Sequence, residues 1–242
     1  MTTTALLATA LVFLVAAVIQ AVTGFGFALI AVPLLAVVLG PAPAVVATTA
    51  VSLLLSVAIV WDDWDHIRWP EMAVLSVAGI AGMPLGLWVL TEVGERVLTA
   101  VIAVVLLAST ALVAFGARLR DNRATEVAVG VTSGALLTST GMNGPPLVVA
   151  FQAQGMPPRP FRGTLSAVFL AQGLAAISLL AVKGQVTGEA LTAVAIGLPM
   201  LALGWIVGNR LFNRLDALVF RRIVLAMLVV SALNALATAI LG

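Results

Sequence analysis

Two short segments carry the residue types that capture small oxyanions. Thr23-Gly24-Phe25-Gly26-Phe27 and Thr138-Ser139-Thr140-Gly141-Met142-Asn143-Gly144-Pro145-Pro146 interrupt apolar runs with glycines, hydroxyls and an amide. Where a helix restarts after such a break, its first N–H groups have no intrahelical carbonyl and carry the positive end of the helix dipole. Gly24, Gly26, Gly141 and Gly144 permit the tight backbone nests that hold oxyanions, while Thr23, Thr138, Ser139, Thr140 and Asn143 add neutral donors. The chemistry this suits is reversible anion binding. Helix packing by the glycines and backbone satisfaction by the hydroxyls is the plainer reading of any one residue. Packing alone does not require two such breaks at equivalent points.

The elements that position these segments are membrane helices. Of 242 residues, 62% are hydrophobic and 9% charged, against roughly a quarter charged in soluble domains, so a water-soluble fold is excluded. The net charge of +2 comes with no basic stripe and hence no nucleic-acid partner, and the absence of cysteine removes disulfides, thiolate metal sites and cysteine nucleophiles. Uncharged runs over 42–61, 72–91, 97–117, 163–182, 190–209 and 223–242 each match the ~20 residues that cross a bilayer as helix. The runs 1–41 and 127–158, which contain the two breaks, are longer. Ala5 to Ile19 is apolar, but Met1-Thr2-Thr3-Thr4 has no basic residue to form a secretory n-region, so it reads as a membrane segment.

An interrupted run followed by three plain spans thus occurs twice. A shift of 115 residues superposes Thr23 on Thr138, Gly26 on Gly141, Gly40 on Gly155, Pro43 on Pro158, Thr49 on Thr164, Gly82 on Gly197 and Pro84 on Pro199. Composition alone gives roughly one such coincidence, so the chain reads as a duplication. The first repeat is 1–117, a cytoplasmic linker 118–126, and the second repeat 127–242. If each interrupted run dips in and returns as a hairpin, ten of the twelve basic residues share one face, with Arg96 and Lys183 opposite. Single crossings by broken helices divide them seven to five. The positive-inside bias favours hairpins, which place both termini outside and invert the halves. The expected fold is therefore an all-α integral membrane protein of two inverted repeats, each a re-entrant helical hairpin followed by three transmembrane helices. Secondary transporters are built in this way, with the substrate near the midplane.

The residues Gln20-Ala21-Val22-Thr23-Gly24-Phe25-Gly26-Phe27, Val32-Pro33-Leu34, Thr140 to Pro146 and Arg162-Gly163-Thr164 resemble the TauE/SafE family of sulfite exporter and sulfonate permease type transporters. The resemblance covers nearly the whole chain and implies transport of a small anion, sulfite or an organosulfonate or a related sulfur-containing or carboxylate anion, across a prokaryotic cytoplasmic membrane. The second motif is less glycine-rich than is usual in the family, so close backbone approach is better supported at Phe25 to Phe27 than at Met142. The substrate-binding set expected is Thr23, Gly24, Phe25, Gly26, Phe27, Thr49, Thr138, Ser139, Thr140, Gly141, Asn143, Gly144 and Thr164, with Arg162 attracting anions at an inner mouth or binding lipid phosphate instead. The partners expected are the anion and the lipid bilayer, with a homodimer compatible; no cofactor or metal is expected.

Other features have plainer readings. The spacings Gly82 to Gly86, Gly130 to Gly134 and Gly204 to Gly208 read as helix contact surfaces. Asp62-Asp63-Trp64-Asp65-His66 reads as a solvated turn flanked by interfacial Trp61, Trp64 and Trp69 rather than a metal cluster. Gln20, Gln152, Gln154 and Gln172 are candidates to line a path. A membrane scaffold would not explain paired breaks. An intramembrane protease built on Thr132-Ser133-Gly134 lacks a His or Asp within a span to act as base. Every acidic residue falls in or beside a loop, leaving Glu71, Glu92 and Glu126 as candidates for proton coupling.

Overall fold

The structure, a computed structural model, describes residues 3–92, 122–182, 184, 186–227 and 229. The span expected over 97–117 and most of that over 223–242 lie outside the described residues. Helices α1 (Thr3–Thr23), α2 (Phe27–Leu39) and α3 (Pro41–Asp62) precede a 3₁₀ turn (Trp64–His66) and α4 (Trp69–Glu92). Then come α5 (Arg123–Thr140), α6 (Gly144–Ala153), α7 (Pro158–Val182) and α8 (Gly188–Phe212); residues 217–227 are also helical. The described residues contain no strand. Helical segments Ala5–Thr23, Pro43–Asp62, Pro158–Val182 and Gly188–Phe212 are long and apolar enough to cross a membrane, and the described residues form an all-helical array compatible with an integral membrane protein.

Both interruptions expected from the sequence are breaks in the structure. The Gly24 N–H donates to the Gln20 carbonyl at 2.7 Å, and its φ of +79° turns the chain out of α1. Gly141 ends α5 in the same way, with φ +74° and its N–H on the Leu137 carbonyl, the left-handed cap that glycine adopts without a Cβ penalty. The two phenylalanines around Gly26 anchor the first break in different directions. Phe27 stacks on Phe13 with ring centroids 5.7 Å apart, in a core with Leu35, Val51, Leu55 and Ile59. Phe25 enters a second core with Leu147, Phe151, Phe161 and Leu165.

The small-residue spacings are helix contacts. α4 and α5 run in the same direction with backbones touching: Gly82 meets the Val131 carbonyl, Gly86 that of Ala135, and Gly134 that of Gly79. α1 and α8 pair likewise, Gly204 against Ala17 and Gly208 against Ala21 and Val18. A methyl group at any of these glycines would overlap its neighbour. Such close approach is how membrane helices gain van der Waals energy where lipid offers no hydrophobic drive.

Five helix ends meet at one side. Arg159 and Arg162, in the first turns of α7, bond Asp63 just beyond α3 and Asn213 and Asn209 at the end of α8. α4 begins there too, six residues after Asp63, and α5 starts beside it, since Gly130 lies against Leu75.

Candidate functional site

The two breaks converge on a single cavity. It is lined by Gly26, Phe27, Ala28 and Leu29 from the first break and the start of α2, and by Gly141, Met142, Asn143 and Gly144 from the second. Thr49, Ser52 and Leu53 of α3, Gln20 of α1, Leu137 of α5, and Phe169 and Gly173 of α7 complete it. About 40 Å³ is open to the centres of water-sized molecules, space on the order of three waters. No charged side chain lines it among the described residues.

The donors differ between the breaks. In α2 the Ile30 N–H is the first to reach a carbonyl of the break, that of Gly26 at 3.2 Å. The N–H groups of Phe27, Ala28 and Leu29 precede it and have no carbonyl one turn back within the helix. In α6 the next two residues after Gly144 are Pro145 and Pro146, which have no N–H to offer. Asn143 compensates in part. One of its two amide hydrogens goes to Gln172 Oε1 at 2.9 Å, and the amide carries a second donor hydrogen.

A neutral network holds the second break. The Ser133 hydroxyl donates to the Asn143 carbonyl at 3.0 Å or Gln172 Oε1 at 3.1 Å, and Gln172 Nε2 donates to the Leu75 carbonyl at 3.2 Å. Ser133 thus has amide and carbonyl partners instead of a base. At the first break, Ser52 donates to Gln20 Oε1 at 2.9 Å and Gln20 Nε2 donates to Ser56 at 3.1 Å.

The expected site residues divide into two groups. Gly26, Phe27, Thr49, Gly141, Asn143 and Gly144 line the cavity together. The others lie behind it or elsewhere. Thr23 donates to the Phe25 or Ile19 carbonyl, and Phe25 packs against Gly144 from the core side. Thr138 bonds the Met83 carbonyl at 2.8 Å, tying α5 to α4, and Ser139 bonds the Ala135 carbonyl of its own helix. Thr164 accepts from the Arg68 N–H at 3.0 Å. Thr140 is described only as the last residue of α5. Sequence reading named Gln20 but missed Ser52, whose place one turn after Thr49 was the available signal. Phe169 and Gly173 carried none.

Arg162 is enclosed by its surroundings. Its side chain is 0% exposed, with its donors directed at protein partners. Nε bonds Asp63 at 2.5 Å, Nη2 bonds Asp62 at 2.7 Å, and Nη1 bonds Asn209 at 2.8 Å and the Ala21 carbonyl at 3.1 Å. Its guanidinium carbon lies 3.6 Å from the Phe212 ring centroid. Gly24 lies directly on its backbone. The Asp62–His66 turn is accordingly solvated only in part: Asp63 is buried between Arg162 and Arg159, while Trp61 and Trp64 are exposed.

The family model for sulfite exporter TauE/SafE matches residues 9–235. A probable sulfite/organosulfonate exporter TauE from Cupriavidus necator is 27% identical over 219 residues, covering 87% of this chain and 85% of that protein. No solved structure matches. With a family match running through both glycine breaks and the cavity between them, the chain belongs to the TauE/SafE family of membrane transporters and is not an enzyme.

Proposed function

We propose that this protein carries a small sulfur-containing anion, sulfite or an organosulfonate, across a prokaryotic cytoplasmic membrane, with the oxyanion held between the two breaks. The observation that carries the reading is that backbone from both breaks lines one uncharged cavity beside Thr49 and Ser52. Neutral donors and a helix start attract an anion without the deep trap of a buried cation, so release stays accessible. The relative's name, an exporter of sulfite or organosulfonate, agrees with this chemistry.

The architecture that goes with this reading is a pair of inverted repeats with both termini outside. Its support is reciprocal packing. The first arm of the first half, α1, lies along α8 of the second half, and the first arm of the second half, α5, lies along α4 of the first.

The test is flux through purified protein in liposomes loaded with labelled sulfite, with thiosulfate, sulfoacetate, taurine and acetate as competitors. Saturable sulfite movement that sulfoacetate inhibits is the expected result. Absence of saturable movement for every anion in the panel would overturn the reading.

A further inference from the structure

A buried charged assembly lies beside the cavity rather than in it. Arg162 and Arg159 face Asp62 and Asp63 in an assembly of two positive and two negative charges. Both acids belong to the first half of the chain and both arginines to the second. The assembly stands at the side where α3 and α8 end, and it touches the first break directly. Arg162 takes the Ala21 carbonyl from the last turn of α1, and its backbone supports Gly24, where a Cβ would come within 3.0 Å of Arg162 Cα. Gly26, two residues further on, lines the cavity.

We propose that this assembly is a charge latch between the two halves, which closes the cavity toward that side and positions the first break. It rests on the reading that the cavity is the transport site. An ion pair suits a mouth that must open and close. Closed, the four charges neutralise one another with hydrogen bonds to nearly every donor of Arg162. Open, water solvates each of them, so neither state strands a charge in an apolar environment. An apolar plug would be penalised on every opening. The latch is also one-sided. Under the 115-residue shift Arg162 corresponds to Ala47, and Asp62 and Asp63 correspond to Ile177 and Ser178, so the second half holds no equivalent. Its own break is held by the neutral network of Ser133, Asn143 and Gln172. The two mouths therefore open against different chemistry, ionic at one and amide at the other.

The cysteine-free chain allows a direct test in proteoliposomes of the full protein. Ala28→Cys places a thiol in the cavity, and Asp65→Cys, in a separate protein, marks the latch side by its labelling with a membrane-impermeant maleimide. Adding Asp63→Asn or Asp62→Asn to Ala28→Cys is expected to speed labelling from the latch side about tenfold or more, the shift produced by losing one charge-assisted hydrogen bond. Labelling from the other side should not rise. Asp62 is one-third exposed, so its variant decides the matter if Asp63→Asn fails to fold. Unchanged labelling in the folded variants, or an equal rise from both sides, overturns the latch. One-sided labelling in a protein that moves none of the anions above would uphold the latch and sink the transport reading of the cavity.

Discussion

Phe25 of the first break lies against Gly144, the first residue of α6: a Cβ built on Gly144 stands 3.5 Å from Phe25 Cδ2 and 3.5 Å from Phe169 Cζ. That is ordinary contact, so Gly144→Ala should fold with the wild-type melting temperature. Gly144→Leu has no such room and must displace Phe25 or Phe169. It should lose sulfite flux and melt lower, by about 2–4 °C for each kcal/mol of strain in a chain of this size. Differential scanning fluorimetry in detergent beside liposome flux checks both; equal melting of the two variants would mean that the breaks are not in contact.

Gly26 and Asn143 separate backbone from side-chain contributions to the cavity. At Gly26 φ is +93°, and an added methyl meets Met227 Cε at 3.2 Å and Ile19 Cγ2 at 3.3 Å. Gly26→Ala therefore strains the break by about 1–2 kcal/mol and should strongly impair flux. Asn143→Ala gives up a neutral bond to Gln172 worth about 0.5–1.5 kcal/mol, so the protein stays folded. If its remaining amide hydrogen holds the anion, the Km should rise roughly 10- to 150-fold, the equivalent of 1.5–3 kcal/mol. Ser178→Ala, exposed and bonded to the Leu174 carbonyl of its own helix, is the control. Wild-type Km in Asn143→Ala would remove the amide from the site.

Arg162→Gln tests the charge assembly through stability. Removing one partner of a buried ion pair leaves an uncompensated charge and typically costs 3–5 kcal/mol. Because Arg162 is screened from solvent, the loss should persist at high salt, unlike that of a surface pair. The double variant Arg162→Gln, Asp63→Asn should melt higher than the sum of the two single losses predicts. Strict additivity in that cycle would show that the two groups do not interact.

Topology can be read with single thiols. Ala124 near the start of α5 and Val186 before α8 are both exposed, and the helix directions put them at opposite ends of the bundle. Ala124→Cys and Val186→Cys should react with an impermeant maleimide from opposite sides of the membrane. Reaction from a common side would exclude the hairpin arrangement.

Much of the fold was legible because its signals are local. Runs without charge announce α3, α4, α7 and α8, and the breaks at Gly24 and Gly141 follow from glycine beside hydroxyl residues. The glycine pairs of α4, α5 and α8 were legible as contacts from their spacing alone. What stayed hidden depends on partners distant in sequence. Asp62 and Asp63 look like a solvated turn because Arg159 and Arg162, about a hundred residues later, are needed to show otherwise. Thr138 and Ser139 look like donors for an anion, but helix carbonyls take their protons first. The cavity was half legible: the glycines that line it could be named, whereas Ser52, Phe169 and Gly173 join it only through helix packing.

The backbone contacts of α1 with α8 and of α4 with α5 limit how the molecule can move. Helices in contact through Gly134 and Gly79, or through Gly208 and Val18, leave no side-chain layer that could shear. Each couple travels as one rod, and each joins a helix from one half of the chain to a helix from the other. Rocking the two halves past each other as separate bodies would pull both rods apart. Any motion that keeps these backbone contacts must therefore carry α1 with α8 and α4 with α5.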